Sequence, residues 1–168
     1  MKTIQVVQVE NIPLCWYSSL YPIKRQFGTL AAELKCRHYK SRRVYQLTKN
    51  NRSYIGHTTD INYRLHHHQT DNRVSTFIHF LTKDGIKIED STVTIYYIKD
   101  GRNTHYLALE AELINRFEPI YNKKGSKKLR GIYDFNFTKV TISEYLNMLP
   151  KRILQDSFYR QYRRKKTA

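Results

Sequence analysis

Arg43-Val44-Tyr45-Gln46-Leu47-Thr48-Lys49-Asn50-Asn51-Arg52-Ser53-Tyr54-Ile55-Gly56-His57 decides how the rest of the chain is read. Two short runs rich in β-branched and aromatic residues, Val44 to Thr48 and Ser53 to His57, flank the step Lys49-Asn50-Asn51-Arg52. Val, Ile and Tyr suit a half-buried pleated surface, and Asn tolerates the left-handed backbone of a tight turn. The stretch predicts an antiparallel hairpin that carries Tyr45 and Tyr54 on neighbouring strands.

The next segments alternate in type. Thr59 and Asp60 are good N-caps for a helix running to about Gln69. Val74, Phe77, Ile78 and Leu81 have helical spacing, and Gly85 ends that segment. Thr92 to Lys99 reads as a strand, and Tyr106 to Phe117 as a helix closed off by Pro119. Before the hairpin, Ile4 to Val9 reads as a strand and Ile23 to Cys36 as a helix weakened by Gly28. After the middle come a basic loop (Lys123 to Arg130), a strand from Ile132 to Thr141, a helix opening at Ser143, and a basic tail from Phe158. This is an α+β fold. A small antiparallel or mixed sheet, built as β-hairpin, helix, helix, strand, helix, is flanked by helices and by basic N- and C-terminal extensions.

Two helical faces carry groups that do not belong with their apolar neighbours. Ile61, Arg64, Leu65 and His68 fall at i, i+3, i+4 and i+7 and share a face. Taken alone, Arg64 also fits as a long cation covering an apolar stripe, and His68 as one of three surface histidines in His66-His67-His68. Glu110 shares its face with Leu113, Ile114 and Phe117, whereas Glu112 falls with Ala108, Asn115 and Arg116 on a solvated side. A carboxylate on an apolar face needs a partner, either a cation or a metal. Adjacent residues on a helix diverge by about 100°. The three histidines are therefore poorly placed to converge on one transition metal.

The 168 residues fit one domain and can bury a core. There are 30 Lys and Arg against 14 Asp and Glu, a net charge of +16. The excess is uneven: residues 1–43 carry +6, residues 44–122 carry zero and residues 123–168 carry +10. A neutral middle with basic flanks points to a polyanionic partner, nucleic acid ahead of membrane. The organisation expected is a single domain, 1–168, with a core at 43–122 between extensions at 1–42 and 123–168. Two cysteines, Cys15 and Cys36, make neither a disulfide framework nor a four-ligand zinc site. No run reaches membrane-spanning length and the N-terminus lacks a continuous apolar segment, so a cytoplasmic protein is expected.

Here the sequence resembles the GIY-YIG nucleases. Arg43-Val44-Tyr45 stands for their first motif and Tyr54-Ile55-Gly56 for their second. The family's following helix carries an Arg with a His four residues later, as Arg64 and His68 do. Its later helix carries a metal-binding Glu, matched by Glu110, and Pro119 with Tyr121-Asn122 resembles the close of the module. Arg43 replaces the first Gly of the name motif, and the turn between the tyrosines is slightly shorter than usual.

The resemblance implies a DNA endonuclease that uses metal-activated water on double-stranded DNA, leaving a 5′-phosphate and a 3′-hydroxyl. It implies Mg²⁺ on Glu110, with Mn²⁺ as substitute, and Tyr45, Tyr54, Arg64, His68 and Glu110 as the catalytic set. His57 is a further candidate for the cleft. Asn122 fits better as a tie between the helix exit and the hairpin. DNA contacts are expected from Lys123, Lys124, Lys127, Lys128, Arg130, Arg160, Arg163 and Arg164. A compact restriction or phage-type enzyme is expected. One active site cuts one strand, so a double-strand break needs a homodimer or two successive visits. The competing expectation is a non-catalytic nucleic-acid-binding protein, which the basic flanks and 14 tyrosines would suit. Binding alone, however, does not need a carboxylate beside phosphate.

Overall fold

The computed structural model describes residues 1–17, 42–70, 75–122 and 131–148. The helix expected at Ile23 to Cys36, the residue Val74, the basic loop at Lys123 to Arg130 and the tail from Phe158 lie outside the described residues. The strands are β1 (Lys2–Pro13), β2 (Arg43–Lys49), β3 (Arg52–Thr58), β4 (Thr92–Tyr97) and β5 (Tyr133–Lys139). The helices are α1 (Ile61–Thr70), α2 (Thr76–Lys83), α3 (Asn103–Phe117) and α4 (Ile142–Met148), with a 3-10 turn at Leu14–Tyr17 after β1. Among the described residues no helix is long and apolar enough to cross a membrane.

The expected hairpin forms with Asn50 and Asn51 as its two loop residues, at φ 47° and 61°. Two successive left-handed residues give the turn whose twist matches that of the flanking strands. Its register sets Tyr45 opposite Gly56 and Leu47 opposite Tyr54. β4 then pairs antiparallel with β2, β1 antiparallel with β4, and β5 parallel with β1, giving the order β3-β2-β4-β1-β5. The sheet is thus mixed. Both stretches that flank the neutral middle supply strands to it, and β1 lies inside it rather than at an edge. A register shift between Val9 and Ile12, with Asn11 at φ 59°, bends β1 near its end.

Alternation along the strands divides the core in two. On one face Tyr45, Leu47, Val93, Ile95 and Val9 pack with Ile61 and Leu65 of α1, Phe77 and Leu81 of α2 and Tyr145 of α4. On the other, Val44, Ile55, Tyr96, Ile4 and Val6 pack with Tyr106, Leu109 and Leu113 of α3. Burial on both faces explains why Val44, Tyr45 and Leu47 of β2 are all apolar although they point to alternate faces, and it leaves Arg43 as a buried cation beside them.

Arg43, where the name motif would have Gly, is buried. Its guanidinium lies 4.3 Å from the Tyr97 ring centroid and 5.7 Å from that of Tyr145. Its Nε donates to the Tyr145 hydroxyl at 2.8 Å and one terminal nitrogen to the Arg42 carbonyl at 2.8 Å. The side chain therefore ties α4 to the centre of the sheet, a task Gly could not perform. Tyr145→Phe keeps the ring but removes an acceptor from a buried cation. It is expected to lower stability by about 1.5–3 kcal/mol, read from the denaturant midpoint, with the sheet's circular dichroism unchanged.

Candidate active site

β2 brings Tyr45 into the core with its hydroxyl next to Gly56 across the hairpin. A Cβ built on Gly56 would lie 2.4 Å from the Tyr45 hydroxyl oxygen and 2.5 Å from the carbon that bears it. Glycine is required here for close approach rather than for an unusual φ. Tyr54 lies on the same face, with its ring centroid 6.4 Å from that of Tyr45.

α1 closes over this pair. Its apolar positions Ile61 and Leu65 bury against the sheet, and the same face delivers Arg64 and His68. Arg64 Nε donates to the Tyr45 hydroxyl at 3.2 Å, and the guanidinium charge also acts on Tyr54. His68 Nε2 lies 2.7 Å from the Tyr45 hydroxyl, and its ring centroid is 5.4 Å from Tyr45 and 5.6 Å from Tyr54. His68 is thus buried, unlike its half-buried neighbours His66 and His67, and it is not a surface histidine. Among the described residues no group of three or more His, Cys, Asp or Glu could hold a metal.

The second nitrogen of His68, Nδ1, lies 2.7 Å from Ser75 Oγ. Ser75 is the N-cap of α2, and its Oγ accepts from the Ile78 backbone N–H at 3.2 Å. Sequence reasoning missed this residue. Its signal was present, a Ser one residue before a helix of strong apolar periodicity. Its contact with His68 depends on how α1 and α2 pack, which spacing does not report.

Glu110 comes from α3, which packs on the opposite face, against β3, β2 and β5. It acts across the edge strand, close enough that its charge helps raise both Tyr45 and Tyr54. The carboxylate is partly buried and makes no hydrogen bond or ion pair with any described residue. Burial alone pushes its pKa up. Glu112, by contrast, pairs with Arg116 at 3.5 Å on the outer side of the helix. Phe117, expected on the apolar face with Glu110, is 48% exposed at the helix end.

His57 does not join the phenols. It alternates with Tyr54 and Gly56 along β3 and pairs with Val44, so it faces α3 and the side of Asn103. Burial, then the Arg42 charge, lowers its pKa. Asn122 acts on the backbone: its Oδ1 accepts from the Ile55 N–H at 2.7 Å and its Nδ2 donates to the Ile55 carbonyl at 2.8 Å. Lys123, Lys124, Lys127, Lys128, Arg130, Arg160, Arg163 and Arg164 lie outside the described residues.

Burial governs the electrostatics. It raises Tyr45 well above the ordinary phenol value, with Tyr54 adding to the shift and Arg64 opposing it. It lowers His68 to about 3, helped by the charges of Arg64 and then His67. At neutral pH the site holds a neutral phenol against a neutral imidazole, with Arg64 as its cation. A half-buried carboxylate without a protein partner suits a single hard cation that keeps most of its own waters.

Two consequences are measurable. Gly56→Ala forces Tyr45 out of place, so it should cost about 1–3 kcal/mol of stability and reduce DNA cleavage more than DNA binding. The second concerns acid. The folded-state pKa of His68 is depressed below its unfolded value of about 6.5, so its stabilisation is complete above that pH and drains away as pH falls toward 3. Glu110, shifted upward, works in the opposite sense. His68→Gln should therefore flatten the fall of Tm between pH 6.5 and 4, and an unchanged slope would place the imidazole elsewhere.

The family model described as GIY-YIG catalytic domain matches residues 43–126, half of the chain, and spans the hairpin, α1, α2, β4 and α3. No curated protein matches the chain, and no solved structure does. The matched stretch contains the phenol pair with Arg64 and His68, and Glu110 on the helix behind them, and the chain belongs to the GIY-YIG nuclease family, whose domain is an endonuclease acting on DNA.

Proposed function

We propose that the protein is a divalent-metal-dependent DNA endonuclease of the restriction or phage type, using Mg²⁺ with Mn²⁺ as substitute, in which Tyr45, Tyr54, Arg64, His68 and Glu110 form the catalytic set. The observation that carries this reading is the Tyr45 hydroxyl held between His68 Nε2 at 2.7 Å and Arg64 Nε at 3.2 Å. Glu110 would hold the cation, which when bound supplies positive charge to the phosphate oxygens. The basic stretches on either side of the neutral middle support a DNA substrate gripped by its phosphates, which we take to be double-stranded.

The chain's own residues account for the rest. Arg64 offers a planar fork of donors to non-bridging oxygens as charge builds there. A water beside Tyr45 gives a proton to the phenol oxygen while the phenol's own proton passes to His68 Nε2. The water oxygen forms its bond to phosphorus, and the P–O3′ bond breaks. The 3′ oxygen takes a proton from solvent, and the imidazolium later returns its own. Routing the proton onward is needed because a buried phenol is too weak an acid to be ionised at neutral pH. Tyr54 stands beside Tyr45 within reach of the same Arg64 charge, which lowers its pKa against burial.

Supercoiled plasmid, with and without Mg²⁺, tests the proposal. Glu110→Gln should lose cleavage by on the order of 10²-fold or more, while Glu112→Gln stays near wild type. A readout independent of activity accompanies it. Mg²⁺ should raise the Tm of the wild type but not of Glu110→Gln, whose Tm without the ion should exceed wild type because an unpartnered buried charge has been removed. Tyr45→Phe should fall by a similar factor in kcat with DNA affinity retained. Full activity in that variant would remove the phenol from the proton path.

A further inference from the structure

We infer that Ser75 is a positioning residue for the reaction: its hydroxyl holds His68 with hydrogen on Nδ1, so that the lone pair of Nε2 faces Tyr45. The inference rests on the proton path proposed above and adds to it a residue outside the motifs of the hairpin and α1.

The assignment follows from counting donors and acceptors. Arg64 Nε carries a hydrogen and donates to the Tyr45 oxygen at 3.2 Å. A phenol oxygen also has one hydrogen of its own to give, and its other neighbour within hydrogen-bond distance is His68 Nε2, at 2.7 Å. With Arg64 already donating, the phenol gives its hydrogen to Nε2. A neutral imidazole then carries its hydrogen on Nδ1, which donates to Ser75 Oγ at 2.7 Å. Ser75 Oγ has two lone pairs. One takes Nδ1–H and the other the Ile78 backbone N–H at 3.2 Å. The hydrogens of Arg64 Nε, the Tyr45 hydroxyl, His68 Nδ1 and the Ile78 N–H then each have an acceptor, and the one left over is the hydroxyl hydrogen of Ser75 itself. The opposite tautomer would aim two N–H groups at one buried phenol oxygen and leave Nε2 unable to take a proton.

Ser75 is suited to this by its place in the fold. It is 3% exposed, and as the N-cap of α2 its side chain is already fixed by the helix it caps. The His68 ring therefore meets an oxygen that does not need to be ordered when DNA binds. Once Nε2 has taken the proton, the same oxygen stabilises the imidazolium through Nδ1–H.

The experiment compares Ser75→Gly, Ser75→Thr and Ser75→Asp in the full chain. Gly is a tolerated N-cap, costing only a few tenths of a kcal/mol, and it removes the hydroxyl. Thr keeps the hydroxyl. Asp keeps the cap and accepts from Nδ1–H while adding negative charge. Ser75→Gly should lower kcat on plasmid by roughly 10- to 100-fold with KM for DNA near wild type and a modest fall in Tm from the unpaired Nδ1–H, and Ser75→Thr should restore most of both. In Ser75→Asp the acid limb of the kcat profile should move to higher pH. In ¹⁵N spectra of wild-type protein, Nδ1 of His68 should be protonated and Nε2 bare, and Ser75→Gly should show a mixture. Wild-type kcat in Ser75→Gly, beside inactive Tyr45→Phe and His68→Gln, would overturn the role of Ser75 alone. A protonated Nε2 in the wild type would overturn the tautomer. Full activity in Tyr45→Phe would instead sink the proton path, and the spectra would still decide what Ser75 does to the ring.

Discussion

A phenol sealed inside a sheet must have its hydroxyl satisfied, because an unpaired buried polar group costs about as much as several good apolar contacts contribute. Tyr45 has no exposed surface, yet it sits at the meeting point of two helices and a hairpin. Its oxygen is satisfied by Arg64 and His68, both from α1. That requirement fixes the rotation of α1 about its axis. The rotation brings His68 to Ser75, which sets where α2 begins. Gly56 lets the ring lie flat on the neighbouring strand. One hydroxyl thus links the packing of the hairpin side of the molecule to its reactive groups.

The same burial that stabilises the arrangement tunes it. Desolvation pushes Tyr45 up and His68 down, so both stay neutral near pH 7, and it raises Glu110 as well. A site composed in this way carries only the charges of Arg64 and Glu110 until a phosphate and a cation enter. Charges arriving among partly buried groups are screened less than they would be in open water.

Much of this was legible in the chain. The Asn50-Asn51 turn, the strands beside it and the helix carrying Glu110 were readable because each rests on local chemistry: left-handed tolerance, period two, period 3.6. The contrast between Glu110 and Glu112 was readable for the same reason. What sequence could not give was long-range. The parallel pairing of β5 with β1 joins residues more than a hundred positions apart, and no local pattern announces it. His57 follows the second motif directly, but period-two alternation turns it to the far face, toward Asn103. His68 among three histidines was ambiguous until packing buried one and left its neighbours partly exposed. Arg43 looked like a departure from a motif and proved to be an anchor for α4.

Asn122 has a consequence for the company the molecule keeps. β3 is an outer strand, and its outward N–H and C=O groups would invite a strand from another chain. The Asn122 amide takes both groups of Ile55, and the Tyr121 N–H takes the Ser53 carbonyl at 3.2 Å. A side-chain amide has the same donor and acceptor as a peptide, so it fills the slot a sixth strand would use. The sheet is blunted on its hairpin side. For a protein of charge +16, many copies of which a single length of DNA would crowd together, that protects against aggregation while leaving the working face open.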